Sequence, residues 1–435
     1  MKKLLAILAA TALITPVVTS VISCGENQEP FTNNPLMIGK GIDKSKAIDD
    51  SQPGKFGFTN FYIVGDSLSD TDGISNLIKT KFANQMVDLN VSLSGAYGYE
   101  KNDVHYSAFS NGMTAGTILS EKLGFGEMKP SNFLSKKEST NYGKNYSVGG
   151  ATAAKLDLPT GILLNDATID RQTEALLSQH KINNNDLVFF EIGGNDLFSL
   201  IGFEGNEAKQ IEFMNDSIDR VRTALFNLLN NGIKNIIFMT PPRMDFPPRY
   251  RQTFDDAAAG NVEAKKRAEF IINICDEYYS KIMNVLNEVE QYYPDSIELY
   301  DLYKKTNELE NEFKKIAGQD AIIDKAYSNG QAIEINLNNE KMTFNTDPKL
   351  DLFDNVSSVI NEFKSDIVFG AKNTLDITIS ATRSTSRSLY NNDERDKDMS
   401  KFFFTDFVHP TKQVHELVSE ILLDHAKELS KKWEN

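Results

Sequence analysis

The sequence has 435 residues, of which 40% are hydrophobic and 25% are charged. These are ordinary values for a globular protein, and they exclude a wholly disordered, collagen-like or multi-spanning membrane protein. Asp and Glu number 61 against 46 Lys and Arg, a formal net charge of −15 that argues against a nucleic-acid partner.

The first residues have the pattern of an export signal. Lys2 and Lys3 form a basic start, and the mostly apolar stretch Leu4–Ile22 follows. At about 19 residues the stretch would also suit a retained membrane anchor. It ends, however, in the letters VISC at Cys24, which resemble a bacterial lipobox. We therefore predict a signal peptide over residues 1–23, lipidation of Cys24, and a lipid-anchored location on the extracytoplasmic face of the cell membrane.

The next part of the chain predicts a tether followed by alternating strands and helices. Residues 24–56 are polar and lack sustained periodicity, which predicts a flexible tether before a folded domain over 57–435. Apolar runs bounded by turn residues predict buried strands at 61–64, 187–192, 235–240 and 296–302. Helical periodicity predicts helices at 168–181, 207–231, 261–292 and 411–431. This alternation predicts an α/β layer fold on a parallel sheet.

Residues 305–400 interrupt this alternation. They contain one helical pattern at 307–317, several polar runs and a charged stretch. We interpret this region as an insertion or cap that precedes the last polar block of the chain.

The first of four notable blocks is FYIVGDSLSDTDG, residues 61–73. A strand ends at Gly65 and Asp66, and Ser67 begins a turn into a helix. The hydroxyl of Ser67 would then lie at the carboxyl edge of the sheet, where open α/β folds bind ligands. Its N–H would lie near a helix N-terminus and could donate to an oxyanion. The alternative is that Ser67 is an ordinary helix N-cap.

The second and third blocks each contain a glycine pair. In NYSVGGATA, Gly149 and Gly150 would let the backbone approach a ligand closely. In FFEIGGNDL, a strand leads to Gly193, Gly194 and Asn195, whose side-chain amide can donate to an oxyanion. Either block taken alone is also compatible with ordinary turn chemistry.

The fourth block, FFFTDFVHPTKQVHE, places Asp406 three residues before His409. That spacing lets the carboxylate accept the imidazole Nδ1–H, which fixes the tautomer and leaves Nε2 facing outward. A histidine in isolation is more often a surface or core residue. The preceding run Phe402-Phe403-Phe404 could line an acyl pocket or form a buried strand.

Together the four blocks resemble the GDSL, or SGNH, family of hydrolases over residues 61–416. The family's signature Ser, Gly, Asn and His have counterparts, in the same order, at Ser67, Gly150 or Gly149, Asn195 and His409. The FSNG string at 109–112 is also similar to a segment of the lipase-like members. The resemblance implies a flavodoxin-like three-layer sandwich with a central parallel sheet, and serine-dependent hydrolysis of acyl esters.

The resemblance also assigns roles to individual residues. It makes Ser67 the nucleophile, His409 the general base and later acid, and Asp406 the group that orients the imidazole. The oxyanion donors would be the N–H groups of Ser67 and Gly150 and the side chain of Asn195. Gly150 is preferred to the glycine before it because it immediately precedes the Ala-Thr pair.

The sequence argues against two classes of protein other than a serine hydrolase. A metallophosphoesterase needs several histidine ligands, and the only Asp-x-His string, ending at His105, follows no clear strand; we expect no metal and no cofactor. A non-catalytic surface lipoprotein would be expected to lose a catalytic position, and all of them are present.

The cysteine and the remaining histidines are expected to have no role in catalysis. Cys275 lies in a helical apolar pattern and is predicted to be a buried core thiol. The histidines predicted to be solvated or structural are His180, His415 and His425.

The sequence indicates the type of reaction more narrowly than it indicates the substrate. The expected lipid anchor and the lipase-like spacing favour membrane or host lipid esters, including lysophospholipids, as the substrate and the membrane as the partner. The acidic body argues against tight docking on anionic lipid. Carbohydrate O-acetyl esters and thioesters are the alternatives on the same site.

Overall fold

The computed structural model describes residues 34–82, 87–95, 97–131, 142–158, 160–326, 331–337, 340–345, 373–381 and 399–432. The predicted signal peptide and Cys24 lie outside the described residues.

The strands include the four that the sequence predicted, each within two residues at either end. The described strands are β1 (Asn60–Val64), β2 (Val87–Gly95), β3 (Tyr99–Lys101), β4 (Val104–Tyr106), β5 (Asp186–Glu191), β6 (Asn235–Met239), β7 (Ile297–Tyr300), β8 (Ile322–Lys325), β9 (Gln331–Leu337), β10 (Glu340–Asn345), β11 (Asn373–Ala381) and β12 (Phe402–Phe404). A central sheet has the order β1-β5-β6-β7, with every neighbouring pair parallel. β1, β5 and β6 are buried along their whole length, as expected for parallel strands covered on both faces.

The helices likewise include those predicted from periodicity. The described α-helices are α1 (Gly73–Phe82), α2 (Ala115–Lys122), α3 (Gly161–Leu164), α4 (Ile169–Gln179), α5 (Gly194–Gly202), α6 (Glu207–Asn230), α7 (Arg251–Ala258), α8 (Val262–Tyr292), α9 (Leu302–Ala317) and α10 (Lys412–Lys431). Within the ranges that the structure describes, no helix is both long and apolar enough to cross a bilayer.

Two hydrophobic clusters cover opposite faces of the central sheet. Alternate residues of a strand point to opposite faces, so Val188 and Phe190 of β5 join one cluster and Leu187 and Phe189 join the other. The first cluster contains residues of α4, α5, α6 and α8, and the second contains residues of α2, α9 and α10. The predicted three-layer α/β sandwich with a parallel central sheet is therefore confirmed.

A further extended segment runs beside the outer edge of β1. Within residues 144–148, the N–H of Tyr146 donates to the carbonyl of Ile63 at 2.8 Å, and the N–H of Val148 donates to Gly65 at 3.2 Å. The direction is parallel, as in the rest of the sheet. This pairing brings the second glycine block to the same edge as the first block.

Residues 34–56 pack against the body where the sequence predicted a flexible tether. Ile48 forms a parallel bridge with His180, just before β5. The Asn230 side chain, at the end of α6, donates to the carbonyl of Pro35 at 2.7 Å. The prediction is corrected for this part of the chain, because these residues are held by backbone and side-chain hydrogen bonds that need no periodic apolar pattern.

The region predicted to be an insertion, 305–400, contributes to two additional sheets. β8 pairs with β12, and β9, β10 and β11 form a sheet with β2 in the order β10-β9-β11-β2. β11 runs parallel to β2, with Asp376 opposite Asn90 and their side chains hydrogen-bonded at 2.7 Å. The described parts of this region therefore pair with segments on both sides of it, with β2 before it and with β12 after it.

The aromatic run before the fourth block forms the strand β12. Phe402, Phe403 and Phe404 are each at most 2% exposed. The ring of Phe246 packs against Phe403 and Phe404 at centroid distances of 5.0 and 5.3 Å. Of the two alternatives considered, the buried strand is the one observed.

Candidate active site

The four polar blocks meet at the carboxyl edge of the central sheet. β1 leads into Ser67, the edge segment 144–148 leads into Gly150, and β5 leads into Asn195. The fourth block lies between β12 and α10 and brings His409 to the same place. The carboxyl ends of parallel strands are where open α/β sheets bind ligands.

The predicted serine, histidine and aspartate form a continuous hydrogen-bonded row. His409 Nε2 lies 2.8 Å from Ser67 Oγ. On the other side of the ring, His409 Nδ1 lies 2.8 Å from Asp406 Oδ2 and 3.0 Å from Oδ1. Ser67 is 8% exposed and His409 is 5% exposed, so both residues are largely shielded from water. This geometry lets the imidazole accept the serine proton while the carboxylate fixes its tautomer.

Asp406 is surrounded by hydrogen-bond donors. Its Oδ1 accepts the backbone N–H groups of Val408 at 2.9 Å and His409 at 2.8 Å, and its Oδ2 accepts the hydroxyl of Tyr97 at 2.6 Å. Burial alone would raise the pKa of Asp406, but His409 and these donors outweigh it and lower the pKa to about 2. The carboxylate is therefore ionised throughout the neutral range.

Two aromatic residues that sequence reasoning did not assign to the site contact the His409–Asp406 pair. Tyr97 is the hydroxyl donor to Asp406, from which it is separated by 309 residues of sequence. Phe109 stacks on the imidazole of His409 at a centroid distance of 5.0 Å. Phe109 begins the FSNG string, which was a signal for it, whereas no local pattern marked Tyr97.

The candidate oxyanion donors lie beside one another. The Asn195 amide, in the first turn of α5, donates to the carbonyl of Ala151 at 2.9 Å, and this contact fixes it against the Gly150 loop. The N–H of Gly149 donates to a carboxylate oxygen of Asp70. In the described part of the chain, the N–H of Gly150 donates to no other group, which supports Gly150 as the donor.

Two buried carboxylates tie the loops of the site together. Asp70, in the first block, accepts the N–H of Gly149 and two N–H groups at the start of α1. Asp196, next to Asn195, accepts the N–H groups of Ala153 and Ala154, each at 2.9 Å. Burial raises the pKa of Asp70 to about 7 and that of Asp196 to about 6, against the lowering effect of these backbone donors. The sequence analysis assigned neither residue to the site.

A second pair of buried carboxyl groups belongs to Asp66, the residue before the serine, and to Glu191, the last residue of β5. The N–H of Asp66 donates to Glu191 Oε1 at 2.8 Å. Burial raises the pKa of Asp66 to about 6, and burial together with the carboxyl of Asp66 raises that of Glu191 well above its usual range. A Cβ at Gly65 would lie 2.2 Å from Glu191 Oε1, so the turn before the serine requires glycine there.

The remaining histidines and the free cysteine have structural surroundings. His415 is buried, and its Nδ1 accepts the N–H of Ala115 at the start of α2. His180 lies against the ring of Tyr62. Cys275 is fully buried and burial raises the pKa of its thiol to about 12, which confirms the predicted core thiol. Among the described residues, His, Cys, Asp and Glu side chains form no group of three that could hold a metal ion.

Comparison with known protein families places most of the chain in one of them. The model of a family described as GDSL-like lipase/acylhydrolase matches residues 61–422, a span that contains all four blocks. No curated protein matches the chain.

Proposed function

Because the chain belongs to the GDSL-like lipase/acylhydrolase family and is therefore a hydrolase of ester bonds, we propose that it works through a covalent acyl-enzyme on Ser67. The observation that carries this proposal is the row from Ser67 Oγ through His409 to Asp406, with 2.8 Å on each side of the ring. A serine hydroxyl is a weak nucleophile, and a hydrogen-bonded base with an oriented tautomer is what activates it.

The reaction follows from the positions of these groups. Ser67 Oγ attacks the ester carbonyl while His409 Nε2 takes its proton, and Asp406 stabilises the imidazolium that forms. The negative charge on the carbonyl oxygen is met by the N–H groups of Ser67 and Gly150 and by the Asn195 amide. His409 then protonates the leaving alkoxide, and a water molecule activated by the same histidine releases the acid and restores the serine.

The substrate class proposed is the acyl ester of a lipid or lysophospholipid. Its support is the expected lipid anchor, which would hold the enzyme next to membrane esters, together with the lipase-like spacing of the blocks. Carbohydrate O-acetyl esters are the second candidate. We expect the protein to release fatty acid from lysophosphatidylcholine. If it released acetate from acetylated glycans and no fatty acid from lysophosphatidylcholine, carbohydrate O-acetyl esters would become the preferred substrate class.

The location proposed is the extracytoplasmic face of the membrane, with Cys24 lipidated after removal of residues 1–23. The basic start, the apolar stretch and the VISC string support it. In cells fed a radiolabelled fatty acid, the full chain should incorporate label and sediment with membranes, and Cys24→Ser should do neither. Equal labelling of both proteins would contradict the assignment.

Two measurements on the chain without residues 1–23 test the nucleophile. The first is the rate of hydrolysis of p-nitrophenyl esters from acetate to palmitate. The second is the intact mass of the protein, measured by mass spectrometry after treatment with a fluorophosphonate. Activity and label should both disappear in Ser67→Ala and persist in Ser69→Ala, a buried serine of the same loop. A wild-type protein that is folded yet neither active nor labelled would instead favour a binding role for this scaffold.

A further inference from the structure

The carboxylate of Asp406 receives a side-chain donor from outside the serine–histidine–aspartate row. Tyr97 OH donates to Asp406 Oδ2 at 2.6 Å, and His409 Nδ1 lies 2.8 Å from the same oxygen. The backbone N–H groups of Val408 and His409 occupy Oδ1. The Tyr97 hydroxyl and the shorter of the two imidazole contacts therefore fall on the same carboxylate oxygen.

We propose that Tyr97 is a positioning residue of this active site, which holds Asp406 toward His409 and sets how strongly Asp406 attracts the imidazolium. The inference rests on the proposed function, since it concerns how the His409–Asp406 pair acts as a base. Tyr97 is fully buried, so water has no access from its side of the carboxylate.

The local fold makes this placement specific. Tyr97 lies two residues before β3 of the β3–β4 hairpin, and Phe109, which stacks on His409, lies three residues after β4. The N–H of Gly98 donates to the carbonyl of Ser110 at 2.6 Å, which closes the base of the hairpin. Gly98 has φ of +96°, and a Cβ there would lie 2.2 Å from the carbonyl oxygen of Tyr106. The hairpin thus presents two aromatic side chains to the same histidine–aspartate pair.

The hairpin is also fixed to the loop that carries the serine. The N–H of Asp72 donates to the carbonyl of Ser107 at 2.9 Å, and the N–H of Ser107 donates back to Asp72 Oδ1 at 3.0 Å. Ser107 Oγ accepts the N–H of Leu93, in β2, at 3.1 Å. Through β2, which pairs with β11, the placement of Tyr97 is linked to residues of the 305–400 region.

The sign of the expected effect follows from electrostatics. A donor to a carboxylate draws negative charge toward itself, so removal of the Tyr97 hydroxyl leaves more charge facing His409 and favours the protonated imidazole. Among the residues that the structure describes, Asp66 from the serine loop and His415 from α10 also interact electrostatically with His409. Both remain when Tyr97 is changed to phenylalanine, so a change in the pH dependence would belong to Tyr97.

The test compares Tyr97→Phe with Tyr106→Phe and with the wild-type chain. Tyr106 belongs to the same hairpin, but its hydroxyl donates to Glu127 and not to the site. The measurements are kcat/KM for a p-nitrophenyl ester and the rate of fluorophosphonate labelling, from about pH 4.5 to about pH 8. In Tyr97→Phe the acid limb of both profiles should move up by about half a pH unit, an activity loss of about threefold at acid pH, with KM unchanged.

Each outcome bears on the proposal. A Tyr97→Phe profile that coincides with those of the wild-type chain and Tyr106→Phe, or that moves to lower pH, would overturn it while leaving the serine mechanism intact. A folded wild-type chain that neither hydrolyses the ester nor takes the label would overturn the proposed function and this inference together. Phenylalanine keeps the ring and its packing, and an unchanged melting temperature verifies that the variant folds.

Discussion

The ionised carboxylate of Asp406 is the single-residue feature on which the proposed chemistry depends most. Its pKa of about 2 means that it carries a full charge at every pH where the imidazole can act as a base. In Asp406→Asn, the amide oxygen can still accept the two backbone N–H groups, but then its NH₂ faces His409 Nδ1 and selects the wrong tautomer.

Asp406→Asn should therefore lower kcat/KM by about 10⁴-fold, the scale of loss when a serine hydrolase's histidine is held in the wrong tautomer. Asp424→Asn, on the exposed face of α10, serves as the matched control and should retain full activity. Steady-state kinetics on a p-nitrophenyl ester measure both. A loss of less than about tenfold would show that Asp406 does not orient the base.

Asn195 is placed by its contact with Ala151 to meet charge that develops only during the reaction. Asn195→Ala should lower kcat by about 10² to 10³-fold with little change in KM, because the lost hydrogen bond belongs to the transition state. Asn261→Ala, which removes the exposed cap of α8, should cost stability and not kcat. A rise in KM at constant kcat would instead assign Asn195 to substrate binding.

At the level of elements, the site depends on hydrogen bonds between polar groups of neighbouring helices and strands. α10 begins directly after the fourth block, and its buried His415 accepts the N–H of Ala115 at the start of α2. Burial, with a smaller contribution from His409, lowers the pKa of His415 from 6.5 to about 3. The folded protein therefore keeps this histidine neutral at a pH where the unfolded chain would protonate it.

This arrangement predicts a pH-dependent stability. Below about pH 6.5 His415 binds a proton in the unfolded chain but stays neutral in the folded chain. The free energy of unfolding therefore falls progressively as the pH is lowered to about 3. Asparagine can place an oxygen where Nδ1 accepts from Ala115 and does not titrate. The free energy of unfolding of His415→Asn, relative to wild type, should rise by roughly 2 to 3 kcal/mol between about pH 7.5 and about pH 4.5. Urea unfolding at the two pH values measures it, and an unchanged difference would contradict the explanation.

For the whole molecule, the N-terminal segment and the candidate active site lie at opposite ends of the central strands. Ile48 pairs beside the start of β5, and Asp50 lies 3.2 Å from Nδ1 of the buried His180 and 3.4 Å from Lys144. The site lies at the carboxyl ends of the same strands. Stability and activity should therefore respond differently when the segment is removed.

Deletion of residues 1–52 should lower the melting temperature by about 5 °C or more relative to deletion of residues 1–33, because it removes Asp50, which contacts His180 and Lys144, and the Ile48 bridge. Ester hydrolysis at room temperature should remain within about twofold of that of the longer chain, since no residue of the site is touched. Scanning calorimetry and kinetics on both proteins provide the comparison. Equal melting temperatures would mean that these contacts contribute nothing to stability.

The sequence by itself predicted the layered fold and the three residues that the structure brings together in the hydrogen-bonded row. Buried parallel strands are short continuous apolar runs, and amphipathic helices repeat every three to four residues, so both leave a local signature. Because the carboxyl ends of parallel strands share one edge, the blocks at Ser67 and Asn195 could be placed together without coordinates. The pattern Asp-x-x-His at 406–409 is likewise local.

Only the tertiary structure decided which other groups reach that row. Tyr97 meets Asp406 because a glycine turn and a strand pairing across distant segments place it there, and no periodicity records such a contact. Gly150 is favoured over Gly149 by a hydrogen bond from the latter to Asp70. The packing of residues 34–56 was missed for the same physical reason: hydrogen bonds between distant irregular segments leave no pattern in the chain that forms them.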